Sequence, residues 1–108
     1  MKLSVVRGGG LAGMVTRTEL ASEALSPGDA RELHEKVEQA GVLAMPEELP
    51  PAKPHPDELN YELTVEHEGR ERTVHLSEST LPEKVRSLIA WADSRPEREH
   101  RIEPPGRT

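Results

Sequence analysis

The chain has 108 residues, 33% hydrophobic and 2% aromatic with no Phe, which is material for one domain whose thin core rests on leucine and valine. Its 14 Lys and Arg against 20 Asp and Glu leave a net charge of -6, which argues against nucleic acid or an anionic membrane as partner and favours a neutral or basic protein surface. The lack of cysteine excludes disulfides, thiolate chemistry and cysteine-ligated zinc. No apolar run reaches the length of a signal peptide or a membrane span, so the expected compartment is the cytoplasm.

Residues 2–7 and 14–20 are rich in β-formers and read as two strands of a hairpin. Their connection is Arg7, Gly8, Gly9, Gly10, Leu11, Ala12 and Gly13. If Arg7 faces Met14, then Val5 faces Thr16, Leu3 faces Thr18, and Lys2 lies across from Glu19 as a favourable charge pair. The inward face is then Leu3, Val5, Met14 and Leu20. Glycines in the connection permit positive φ and close approach of another backbone. A phosphate cradle would need a following helix N-terminus, and here a strand follows. Leu11 has little core to pack into at such a tip, which points to recognition beside the simpler reading of a flexible turn.

A helix is announced by Ser26, Pro27 and Asp29, with Ser26 as N-cap, Pro27 in the first helical position and Asp29 as the capping-box acid. Its stripe is Ala30, Leu33, Val37 and Ala40, and Gly41 stops it with Val42 folding back on Val37. Between residues 45 and 56 lie Pro46, Pro50, Pro51, Pro54 and Pro56, five of the ten prolines, so an extended crossing anchored by Leu43, Met45 and Leu49 is predicted.

The second hairpin is the clearest element. Leu59, Tyr61, Leu63 and Val65 alternate with polar residues, Glu68 and Gly69 form the turn, and Val74 and Leu76 return. A two-residue turn sets Leu63 opposite Val74, Tyr61 opposite Leu76, Thr64 opposite Thr73 and Glu62 opposite His75. It also sets Glu66 opposite Glu71, a like-charge contact that requires that face to be solvated. Thr80, Leu81, Pro82 and Glu83 read as a second capping box, followed by a helical stripe of Leu81, Val85, Leu88, Ile89 and Ala92 with Trp91 on its flank.

After Pro96 the residues are mostly Glu, Arg, Pro and Gly with Ile102 the one large apolar side chain, so 96–108 is predicted to be a disordered tail after a single domain of residues 1–95. The fold class is α+β in the order ββαββα. Two hairpins form a mainly antiparallel four-stranded sheet with two helices on one face.

No catalytic constellation emerges. His34 and Glu35 open a string that resembles the zinc-protease pattern, but Glu38 stands where the second histidine belongs and no third ligand is evident, so the string reads as a solvated helix face. His67 and His75 fall on opposite faces of the hairpin and cannot share a metal. The serines lie near turns, caps and helix surfaces, with no nucleophile elbow. Neither metal nor cofactor is expected, and binding is the more natural function than catalysis.

The run Lys2-Leu3-Ser4-Val5-Val6-Arg7-Gly8-Gly9-Gly10-Leu11-Ala12-Gly13, the strand Leu59-Asn60-Tyr61-Glu62-Leu63-Thr64-Val65 and the pair Leu81-Pro82 resemble the emfourin family over about residues 2–92. Emfourins are small bacterial proteinaceous inhibitors associated with protealysin-like, thermolysin-type zinc metalloproteases. The resemblance implies inhibition of such a protease, which favours a bulky apolar residue just after the scissile bond. Leu11 supplies a physical means, a tip that fills an apolar subsite while glycine backbone lies close in the cleft. The expected protease-binding residues are Arg7 to Gly13, with Leu43 and Met45 as second candidates. The alternative is a non-inhibitory interaction module that pairs through a strand edge, and a monomer or weak dimer is expected in either case.

Overall fold

Strict alternation in the strands makes one face of the sheet aliphatic, and both helices lay their stripes on it. The computed structural model describes residues 1–9, 15–46 and 59–103. Its strands are β1 (Lys2–Gly9), β2 (Val15–Ala21), β3 (Leu59–His67), β4 (Arg70–Ser77) and β5 (Glu99–Glu103), with helices α1 (Pro27–Ala40) and α2 (Glu83–Asp93). They form one antiparallel sheet in the order β4-β3-β1-β2-β5. Leu3 and Val5 on central β1, Leu20 on β2, Leu63 and Val65 on β3 and Val74 and Leu76 on β4 share one buried cluster with Leu33 and Val37 of α1 and Val85, Leu88 and Ile89 of α2. The α+β class and the two helices agree with the sequence reading.

The strand count does not. Five strands stand where four were expected, because residues 99–103, read as tail, pair with the free edge of β2. The chain is turned back toward that edge by Arg95, whose guanidinium lies 5.3 Å from the Trp91 ring centre and 3.4 Å from Asp29. Arg98 then donates to the Arg95 carbonyl at 2.8 Å, closing the turn. Composition misleads here because the side chains of residues 99–102 are all exposed: backbone pairing, not apolar burial, holds this strand.

The register of β1 with β2 is also corrected. Arg7 pairs with Thr16 and Leu3 with Leu20, two residues away from the expected alignment. An even shift keeps every side chain on its expected face. It sets Leu3 and Leu20, each 1% exposed, directly opposite one another in the core. Lys2 now faces Ala21, but it reaches diagonally to Glu19 at 3.0 Å, so the expected ion pair forms by another route. Met14, placed on the inward face by the sequence reading, lies outside the described residues.

The first helix begins as its sequence dictates. The Asp29 N–H donates to Ser26 Oγ at 3.2 Å, Pro27 occupies the first turn, and Gly41 ends the helix at φ 70°. The second capping box does not form: Pro82 is the N-cap of α2 and offers no side-chain hydrogen bond. The residue before proline is disfavoured in the α region, so Leu81 stays extended (ψ 115°) and the helix cannot start there. Thr80 Oγ1 instead donates to the Ser77 carbonyl at 3.3 Å.

The sheet's other face is open and polar, carrying Ser4, Arg17, Glu19, Glu62, Glu66 and Glu71 among others. Thr64 and Thr73 hydroxyls meet at 2.9 Å across it. Among the described residues no helix is long and apolar enough to cross a membrane.

Candidate functional site

Arg7, Gly8 and Gly9, the first residues of the glycine segment, form the end of the central strand β1. Gly8 and Gly9 pair with Asn60 and Leu59 of β3, and Arg7 pairs with Thr16 of β2 on the other side. Arg7 follows Leu3 and Val5 on the helix-facing side. Its guanidinium donates through Nη2 to Asp93 Oδ2 at 2.6 Å and stands 5.9 Å from the Tyr61 ring centre. The pair is partly shielded, with 24% of the Arg7 and 36% of the Asp93 side chain exposed. The remaining site candidates Gly10, Leu11, Ala12 and Gly13 lie outside the described residues.

Gly8 is informative because nothing among the described residues demands a glycine there. Its φ is not positive; among described glycines that property belongs to Gly41 and Gly69. A Cβ built on Gly8 would meet Val15 Cγ2 at 3.4 Å, an ordinary van der Waals contact. Glycine within a strand costs stability and leaves a bare backbone that another chain or ligand can approach closely.

Leu43 and Met45 do not join this site. Leu43, 46% exposed, lines an open groove with His67, Glu68, Arg70 and Arg72 beside the β3–β4 turn. The paired ends of β1 and β3, Gly9 with Leu59 and Lys2 with Glu66, are roughly 23 Å apart at strand spacing, and the groove lies at the Lys2 end. Met45 packs partly against the core, and its carbonyl accepts a hydrogen bond from Arg72 Nη2, so it has a structural task. The two candidate surfaces are therefore at opposite ends of the sheet.

The histidines behave largely as their spacing indicated. His34 Nε2 is 3.4 Å from Glu38 on the surface of α1, and His75 is 3.9 Å from Glu62 on the open sheet face, away from His67. The alternation could not reveal that His34 and His67 meet edge to face at 4.9 Å, since packing alone brings α1 to the hairpin turn. Among the described residues no three histidine or carboxylate groups cluster so as to hold a metal ion.

Among the described residues, Lys2 and Glu19 are the groups whose titration is displaced. The hydrogen bond from Lys2, aided by its charge, holds the Glu19 carboxyl below its ordinary value, and the same hydrogen bond raises Lys2. Both belong to the open sheet face, not to the glycine root.

No curated protein and no solved structure matches the chain. The Emfourin family model matches residues 5–93, a span that contains the whole glycine segment, both helices and the Arg7–Asp93 pair. On that match, covering most of its length, the chain belongs to the emfourin family.

Proposed function

We propose that this protein is an inhibitor of a thermolysin-type, protealysin-like zinc metalloprotease, and that the loop of residues 7–13 blocks the substrate cleft. Family membership supports a protease as partner. The observation that carries the loop assignment is Gly8, a strand glycine that neither its backbone conformation nor the space among the described residues requires. A bare backbone at that position lets a second chain lie against the loop root. Leu11 then fills the apolar subsite just beyond the cleaved position, and the rigid sheet holds the root while the tip inserts. The protein itself performs no catalysis in this reading.

The test is titration of a thermolysin-type metalloprotease with the purified full chain, read as peptide hydrolysis. Hydrolysis is expected to disappear near equimolar protein. Leu11→Asp is expected to weaken inhibition by about 2 kcal/mol or more, roughly thirtyfold, through lost burial and a desolvated charge. Its melting temperature should match the parent's. Leu63→Asp is the folding control: Leu63 is fully buried in the core and its replacement should unfold the protein. Undiminished hydrolysis at excess protein would refute inhibition and leave a binding module, for which the outer strands β4 and β5, the latter with exposed Ile102, are candidate edges.

A further inference from the structure

We propose that Arg7 and Asp93 are positioning residues that aim the glycine loop, an inference that rests on the inhibitory reading above. Asp93 is the last residue of α2, where the helix dipole presents partial negative charge and disfavours a carboxylate. The last turn contains no basic residue to offset it. The offset comes from 86 residues away in sequence, through the 2.6 Å contact with Arg7.

Arg7 is equally ill suited to stabilising the fold for its own sake. It follows Leu3 and Val5 on the core side of the central strand, where an apolar side chain would extend the buried face. Its Nε is buried and has no hydrogen-bond partner among the described residues. Partial exposure of both side chains also limits what the ion pair adds to stability. Each residue costs its own element something, and the pair gains its value from where it sits.

That place is the last side chain before three consecutive glycines. Glycine loses more conformational freedom on ordering than any other residue, so a loop of this composition binds weakly unless its root is fixed beforehand. Asp93 fixes the Arg7 side chain from the helix layer, and Tyr61 flanks it from β3. The strand is thereby clamped to α2 just before its glycine end.

Asp93→Asn in the full chain keeps the shape and removes the charge. It is expected to raise the inhibition constant against a thermolysin-type metalloprotease about tenfold, with little change in melting temperature. Backbone amide exchange at Gly8 and Gly9 should accelerate in the same variant, a change that a role confined to surface charge would not produce. Exchanging the two charges, Arg7→Asp with Asp93→Arg, should recover much of the lost inhibition, whereas Arg7→Asp alone should not. If Asp93→Asn inhibits like the parent while Leu11→Asp fails, the clamp is overturned and the loop assignment stands. If the parent itself does not inhibit, the functional reading falls, and the exchange rates still decide the clamp: acceleration at Gly8 and Gly9 supports it and unchanged rates overturn it.

Discussion

The Thr18 hydroxyl, on a residue only 2% exposed, meets His100 Nδ1 at 2.9 Å, so a side chain on exposed β5 satisfies a polar group on the core face of β2. Without β5, the Thr18 hydroxyl loses this partner and β2 becomes the outer strand of the sheet.

Ending the chain after Arg95 is therefore expected to destabilise the protein, contrary to what the composition of residues 96–108 suggested. The lost hydrogen bond alone is worth about 1 kcal/mol, which for a domain of this size lowers the melting temperature by several degrees. Thermal denaturation of the shortened and full chains measures it. Thr18→Val should reduce the difference, because removing both partners of a buried hydrogen bond is far less costly than removing one.

Ser26→Ala should cost about 1 kcal/mol, since it deletes the acceptor for the Asp29 N–H, while Ser26→Gly should cost a few tenths. Thr80→Ala removes no helix cap and should cost less than Ser26→Ala, although the two sequence motifs look alike. Denaturant unfolding of the three variants separates a formed cap from an apparent one.

Acid should weaken the parent more than Glu19→Gln. The Lys2 hydrogen bond depresses the folded-state value of the Glu19 carboxyl below the ordinary 4.5. A depressed carboxylate contributes stability that is present above its unfolded value and is lost as pH falls through its folded value. The parent's advantage over Glu19→Gln should thus shrink as pH drops below about 4.5, and added salt should reduce it throughout. For Lys2, whose folded value is raised, the contribution is present below its ordinary value and is lost as pH rises through the raised one. Denaturant midpoints across pH give both limbs.

Gly8→Ala and Gly69→Ala should part company. At Gly8 the added methyl meets Val15 at an ordinary distance, so the melting temperature should hold or rise slightly while protease inhibition falls. At Gly69 the φ of 75° strains any other residue, and the loss should reach about 1 kcal/mol. Equal inhibition by Gly8→Ala and the parent would remove the close-approach argument for the loop.

Short-range chemistry made much of this protein legible without its structure. The β3–β4 hairpin is set by Glu68 and Gly69, both at positive φ, and a two-residue turn leaves only one register, so Leu63 opposite Val74 and Thr64 opposite Thr73 follow. Ser26, Pro27 and Gly41 bracket α1 by local hydrogen bonding and backbone geometry. The glycine segment was recognisable from composition alone.

What the tertiary structure decided involves partners distant in sequence or elements with weak local preference. A long glycine connection leaves the β1–β2 register open, and the facing of Leu3 with Leu20 in the core closes it. Strand β5 has almost no apolar signal of its own; it exists because β2 presents an edge and Thr18 a buried hydroxyl. The separation of Leu43 from the glycine root, and the meeting of Arg7 with Asp93, depend on how the helix layer settles on the sheet. No pattern within a single element encodes such contacts, because their energy comes from burial and charge shared between surfaces that meet only after folding.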